Sequence, residues 1–250
     1  MSRLALVIPC YNEEHRLPVD ELRRFSVSGV DLELVLVNDG SGDGTLRLLE
    51  SLHEENPSRF TVLNLAQNSG KAEAVRRGIL AALDRKPDYV GFWDADLATP
   101  LECLDEFLGV LERRPGIAWV IGARVKLLGR DVRRRAARHY VGRVFATVAS
   151  MVLSLAIYDT QCGAKLFRAD GDLPVILAEP FLARWIFDVE MIARLIRVRR
   201  RRGGAPVEDS IYEYPLERWV DIKGSKLRLR DYVKAARDMA RIWLSLRKAT

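Results

Sequence analysis

Cysteine and histidine are scarce in this 250-residue chain, with three of each. The cysteines (Cys10, Cys103 and Cys162) form no C-x-x-C pair and the histidines (His15, His53 and His139) are scattered. That argues against a disulfide scaffold and a Cys/His zinc site, and a reducing cytosol is the expected compartment. Long apolar runs are missing too. The longest charge-free stretch is 144–158, which as a helix would reach only ~22 Å against a ~30 Å hydrocarbon core. Leu4 to Pro9 is short for a secretory leader and runs straight into a polar loop, so neither a leader nor a membrane crossing is expected. No aromatic residue interrupts the arginine runs 133–138 and 199–202. Bases need aromatic platforms, so nucleic acid is not an expected partner, and a non-catalytic nucleic-acid or membrane adaptor is a remote reading.

The chain is 48% hydrophobic and 30% charged, ordinary globular values that exclude a disordered or collagen-like polymer. Its net charge of +6 is unevenly spread. Residues 1–122 carry 13 Lys/Arg against 20 Asp/Glu, a net −7, and residues 123–250 carry 27 against 14, a net +13. An acidic first half and a basic second half imply different tasks, the basic one facing something anionic.

Five apolar runs read as buried strands: 4–9, 32–38, 60–65, 89–93 and 117–122. Helical patterns at 18–26, 43–55, 70–84 and 101–113 separate them. That alternation predicts a doubly wound, mostly parallel sheet, with ligands at the carboxyl ends of the strands. Beyond it lie a basic loop from 125 that runs into a helix and continues as the apolar 144–158 stretch, a turn and short strand over 159–168, a helix at 185–200, a strand at 206–214 and a basic helix at 228–248. The Arg199–Arg202 run reads as a solvated loop.

Asp94-Ala-Asp96 follows the fourth strand, where two carboxylates can reach a divalent cation and the diphosphate it bridges. Asp39-Gly-Ser-Gly-Asp-Gly44 ends the second strand, and its glycines let backbone approach a ligand; the plainer alternative is a helix-capping turn at Ser41 or Asp43. Asn68-Ser-Gly-Lys71 fails the phosphate-loop pattern, since Leu65 stands at the first glycine position and Ala72 at the Ser/Thr.

Together, Pro9-Cys-Tyr-Asn-Glu-Glu14, Asn38-Asp-Gly-Ser41, Asn68-Ser-Gly-Lys71, Asp94-Ala-Asp96 and Gly122-Ala-Arg124 resemble, in order and spacing, the family 2 inverting glycosyltransferases. Asp159-Thr-Gln-Cys-Gly-Ala-Lys-Leu-Phe-Arg168, Arg184-Trp-Ile-Phe-Asp-Val-Glu190 and Gly224-Ser-Lys226 are similar to the dolichyl-phosphate β-glucosyltransferase and polyprenyl-phosphate glycosyltransferase branch. The resemblance spans about residues 3–230.

It implies a single GT-A domain over 1–250, an α/β fold with a doubly wound, mostly parallel sheet and a C-terminal acceptor-side extension of helices. Residues 1–122 would form the nucleotide-sugar half and 123–250 the acceptor and membrane-facing half. Pro9, Tyr11, Glu13, Asp39 and Ser41 would hold the base and ribose of a UDP- or GDP-hexose, with Lys71 in the donor site. Asp94 would sit by the ribose and sugar and share with Asp96 a Mg²⁺ or Mn²⁺ ion. Arg124 and one or more of Arg135, Arg138 and Arg143 would receive the donor diphosphate or the acceptor phosphate, and Lys226 would belong to the binding site as well. Asp188, and second Asp159, would be the base if the acceptor is a hydroxyl; a lipid phosphate, already anionic, needs none. Relatives often carry a further polar residue where Ala98 stands, and C-terminal spans that this sequence lacks through Thr250. The implied reaction is inverting transfer of a hexose, glucose from UDP-glucose foremost, to a polyprenyl phosphate, with a soluble hydroxyl acceptor as the alternative. The chain is expected to be cytoplasmic and peripheral to the cytosolic membrane face through 134–158 and 228–248; for 144–158, burial or a homodimer contact is the alternative.

Overall fold

The computed structural model describes the backbone of residues 1–133, 136–220 and 229–247, and the side chains of 1–132, 142–220 and 234–247. The first half follows the predicted alternation: β1 (Ser2–Cys10), α1 (Val19–Arg24), β2 (Val30–Asp39), α2 (Thr45–Glu55), β3 (Phe60–Leu65), α3 (Lys71–Leu83), β4 (Tyr89–Trp93), α4 (Cys103–Arg113) and β5 (Trp119–Ala123). The second half adds β6 (Asp131–Arg133), α5 (Ala136–Leu153), β7 (Ala164–Arg168), α6 (Asp172–Leu177), α7 (Phe187–Arg202), β8 (Ile211–Pro215), β9 (Arg218–Val220) and α8 (Leu229–Arg247).

The main sheet has the order β3-β2-β1-β4-β7-β5-β8. All its pairings are parallel except those of β7, which runs antiparallel between β4 and β5. The strands are apolar on both faces because helices cover both. Leu4, Leu6 and Ile8 of β1 pack toward α1, α2 and α4, while Ala5 and Val7 point to the layer of α3 and α5 to α8. Full burial of each such aliphatic side chain contributes about 1.5–3 kcal/mol. Both layers therefore lock the register that aligns the strand ends.

Three features differ from the sequence reading. The helix of the apolar stretch stops at Leu153 rather than running to 158, and Ser154 turns the chain with φ 51°. Ala146, Ala149 and Leu153 face the core, whereas Val144, Val148 and Met151 are exposed, so burial holds for one face of α5 only. The expected loop from 125 contains β6, which pairs with β9 in a separate two-stranded sheet. The Arg199–Arg202 run is no loop but the last turn of α7, where cations suit the helix dipole; Arg199 and Arg202 pair with Asp172 there. Among the described residues no helix is long and apolar enough to cross a membrane.

Candidate active site

The loops after β1 to β4 enclose a cleft of about 480 Å³, lined by Pro9, Tyr11, Glu13, Asp39, Lys71, Asp94 and Asp96 among others. Its floor depends on two loops lying unusually close. Gly40 has φ 62°, and a Cβ there would stand 2.4 Å from the Asn68 nitrogen, so only glycine fits. Asp39, buried at the end of β2, accepts from the amides of Ser69 (2.7 Å) and Gly70 (2.9 Å). Both carboxylate oxygens thus fix the start of α3, where a negative charge complements the helix dipole. Ser41 accepts from the Asn12 amide at 3.0 Å, tying the β1 loop to the β2 loop. The alternative of a capping turn is also present: Asp43 accepts from the amide and hydroxyl of Thr45.

Glu13 hangs from its amide bond to Thr45 (2.8 Å) and accepts from Arg16 (2.6 Å) through Oε1. Its Oε2 is buried without a hydrogen-bond partner. Burial raises the Glu13 pKa against the opposing effect of Arg16. Buried carboxylate oxygens are ordinarily hydrogen-bonded, so this one is an exception at the wall of the cleft.

Asp94 and Asp96 follow β4. The Asp94 amide donates to the Gly163 carbonyl at 2.9 Å, and Leu97 closes the turn onto the Asp94 carbonyl at 3.0 Å with φ 46°, a left-handed conformation costly for leucine. A Cβ on Gly163 would lie 1.9 Å from Asp94 Oδ2, so β7 approaches the site with bare backbone. Lys71 pairs with Asp94 Oδ1. The Asp96 pKa is raised, first by burial and then by Asp94, despite the Ala98 amide at 3.1 Å. Two oxygen-donor side chains with surplus negative charge suit Mg²⁺ or Mn²⁺, which take one or two carboxylates plus phosphates and water. Among the described residues no group of three or more His, Cys, Asp or Glu forms a fuller metal cage.

Arg124, just past β5, grips Asp159 with Nε (2.7 Å), Nη2 (2.8 Å) and its own amide (3.0 Å). The pair is nearly buried, and the guanidinium lies 5.4 Å from the Trp219 ring centre. Burial works against its charge, but Asp159 outweighs it and the Arg124 pKa is raised. Glu213 on β8 accepts from the amides of Tyr158 and Asp159 and so fixes the same turn. Arg143 of α5 stacks 3.9 Å above Tyr158.

Asp188, in the first turn of α7, takes Lys165 Nζ at 2.5 Å on one oxygen and Gln161 at 3.2 Å on the other. Asp188 and Lys165 are both buried. Arg135 and Lys226 lie outside the described residues, as does the side chain of Arg138. Gln161 and Lys165, read in the sequence as residues that fix the loop after Asp159, both reach Asp188 instead, and Glu213, on a strand that bears no motif, carried no mark in the sequence reading.

The model of the family described as glycosyl transferase family 2 matches residues 5–172. The chain belongs to glycosyl transferase family 2. It is similar to the dolichyl-phosphate beta-glucosyltransferase ALG5A of Trichomonas vaginalis, at 32% identity across 96% of this chain and 72% of the relative. The dolichyl-phosphate beta-glucosyltransferase of Saccharomyces cerevisiae is 30% identical over 94% of this chain and 72% of its own length. Among solved structures, the glucosyl-3-phosphoglycerate synthase of Mycobacterium tuberculosis in complex with uridine diphosphate superposes with a TM-score of 0.65 at 22% identity, covering 98% of this chain and 80% of that one. The same enzyme with Mn²⁺ and UDP-glucose gives 0.63 at 22% identity, covering 98% and 79%. The GT-A-type α/β fold expected of this family 2 glycosyltransferase is therefore the one it has.

Proposed function

We propose that this family 2 glycosyltransferase moves glucose, with inversion, from UDP-glucose to the phosphate of a dolichyl-type polyprenyl phosphate at the cytosolic membrane face. The observation that carries the choice of acceptor is the engagement of its acids. Asp188 and Asp159, the two candidate bases, each have both oxygens occupied by cationic or amide donors. A hydroxyl acceptor needs a base within hydrogen-bond reach; a phosphate acceptor instead needs fixed cations, and Arg124 is fixed by Asp159.

In this reading Pro9, Tyr11, Glu13, Asp39 and Ser41 hold the uridine, with Glu13 Oε2 accepting from it. Arg124 and Arg143, with Arg135, Arg138 and Lys226 assigned to the same task, orient the acceptor phosphate. A phosphate oxygen forms the bond to the anomeric carbon while the bond to the diphosphate breaks, and UDP departs with the electron pair. No proton transfer is required. Mg²⁺ or Mn²⁺ held by Asp96 and Asp94 would supply charge neutralisation for the departing diphosphate. Lipid access is supported by the exposed Val144, Val148 and Met151 on one side of α5, a helix whose Phe145 meets Trp185, of the turn before α7, at 6.0 Å between ring centres.

The test offers purified protein labelled UDP-glucose and Mn²⁺ with polyprenyl phosphate, polyprenol or phosphoglycerate. Label entering an acid-labile lipid only with polyprenyl phosphate is expected. Transfer to the alcohol or the soluble acid, or no transfer at all, overturns the reading.

A further inference from the structure

Two lysines flank one aromatic ring in this protein. Lys71 Nζ lies 5.8 Å and Lys165 Nζ 5.0 Å from the centre of Phe92. Each ammonium meets an aspartate, but the two pairs are built differently. Lys165 and Asp188 are 1% and 7% exposed, and Lys165 also donates to the Cys162 carbonyl at 2.6 Å. Lys71 and Asp94 are 41% and 38% exposed, open to the cleft. The Lys71 ammonium is nonetheless desolvated there, with Asp94 the first acid to offset that, so it leaves only when another anion takes over its charge. The closed pair has nothing to exchange with.

The open pair is also incomplete. One ammonium faces two carboxylates, because Asp96 lines the same cleft two residues beyond Asp94. A divalent cation would satisfy both and would repel the ammonium already there. Lys71 can follow a new anion into the cleft, because its flexible four-carbon stem ends in a compact point charge at the cleft wall.

We propose that Lys71 is an exchangeable counter-ion, holding Asp94 in the nucleotide-free protein and yielding that carboxylate to the divalent cation that arrives with the donor diphosphate. The released ammonium turns to the diphosphate itself. Metal and nucleotide then bind as a unit, since metal alone must displace Lys71 with no new partner for it. This rests on the donor-site reading above and specifies the order in which that site fills.

Mn²⁺ electron paramagnetic resonance titration, with and without UDP, tests it on the wild type, Lys71→Met, Lys71→Gln and Lys71→Arg. Without UDP, Lys71→Met and Lys71→Gln should bind Mn²⁺ about tenfold tighter or more, the scale of one removed like charge at partly screened close range. The gain in Mn²⁺ affinity on adding UDP should shrink by a similar factor. Lys71→Arg should keep the wild-type pattern, and in an Asp94→Asn background Lys71→Met should change nothing. Unchanged or weaker UDP-free binding in both neutral variants overturns the counter-ion role while leaving the donor site standing. If the wild type binds no Mn²⁺ even with UDP, the metal assignment of Asp94 and Asp96 fails, and this inference with it.

Discussion

Arg124 and Asp159 are bound to each other at three points, through Nε, Nη2 and the Arg124 amide, at 2.7 to 3.0 Å. An arginine held along one guanidinium edge presents its remaining N–H groups in one direction. That is the property required of a phosphate anchor in a site where charge must arrive in a set place. Asp159 is accordingly a positioning residue in the proposed reaction.

Asp159→Asn should therefore raise the KM for polyprenyl phosphate about tenfold or more, with kcat falling less, because the interaction lost is one made in ground state and transition state alike. Steady-state kinetics with varied acceptor at saturating donor give the split. Equal losses in kcat and kcat/KM would instead mark an interaction made in the transition state alone.

The buried Lys165–Asp188 pair answers to stability before catalysis. Lys165→Met or Asp188→Asn alone leaves its partner buried and uncompensated, which costs about 3–5 kcal/mol. The double variant should recover a large part of that loss in urea unfolding. A general base at Asp188 predicts a further loss of about 100-fold or more in turnover for Asp188→Asn under conditions where it is folded; the phosphate-acceptor reading predicts much less.

Glu73 in α3 accepts from Arg76 and Arg77, and Arg76 reaches across to the Leu177 carbonyl of α6 at 2.9 Å. The hydrogen bonds from Arg76 chiefly pull its carboxyl from 4.5 down to about 2, against partial burial and with help from Arg77. A lowered native pKa means that the unfolded chain takes up the proton first. The stability involved is thus complete above the unfolded value and lost as the pH falls toward 2. Glu73→Gln should cost roughly 2 kcal/mol near neutrality and flatten the decline in melting temperature between about pH 5 and 2.

Met151 is 74% exposed on the outer face of α5. Met151→Glu should change folding stability by no more than about 0.5 kcal/mol and lower sedimentation with anionic lipid vesicles about threefold or more, through lost apolar insertion and charge repulsion. Vesicle binding equal to that of the wild type would place the membrane contact elsewhere.

Most of this architecture is legible in the sequence because strands buried on both faces are continuous apolar runs, as in Leu4 to Ile8 and Leu34 to Val37. Asp94 and Asp96 stand out in the sequence by their place directly past the fourth such run, at the carboxyl end of the sheet. The short strand expected within 159–168 is there as β7, but its antiparallel place between β4 and β5 is not legible. Its second residue, Lys165, reads as polar, and the burial of that residue depends on Asp188, 23 residues away. The same distance hides the state of the acids. Asp159 and Asp188 look like free bases until Arg124 and Lys165 are brought onto them by the sheet. β6 and β9 are three residues each, too short for any periodicity to register.

The antiparallel β7 also bears on how the chain comes off the ribosome. Among the described residues β5 pairs with β7 and β8 alone, and β4 has β1 on one side and β7 on the other. When residues 1–122 have emerged, β5 has no strand beside it and one edge of β4 is bare, each a template for wrong pairing. Neither is covered until synthesis has passed residue 168. The acidic half is thus expected to fail as a module excised or fused on its own. A fragment ending near 122 should need a chaperone to stay in solution, and the full chain should fold at the slower pace that distant pairings impose.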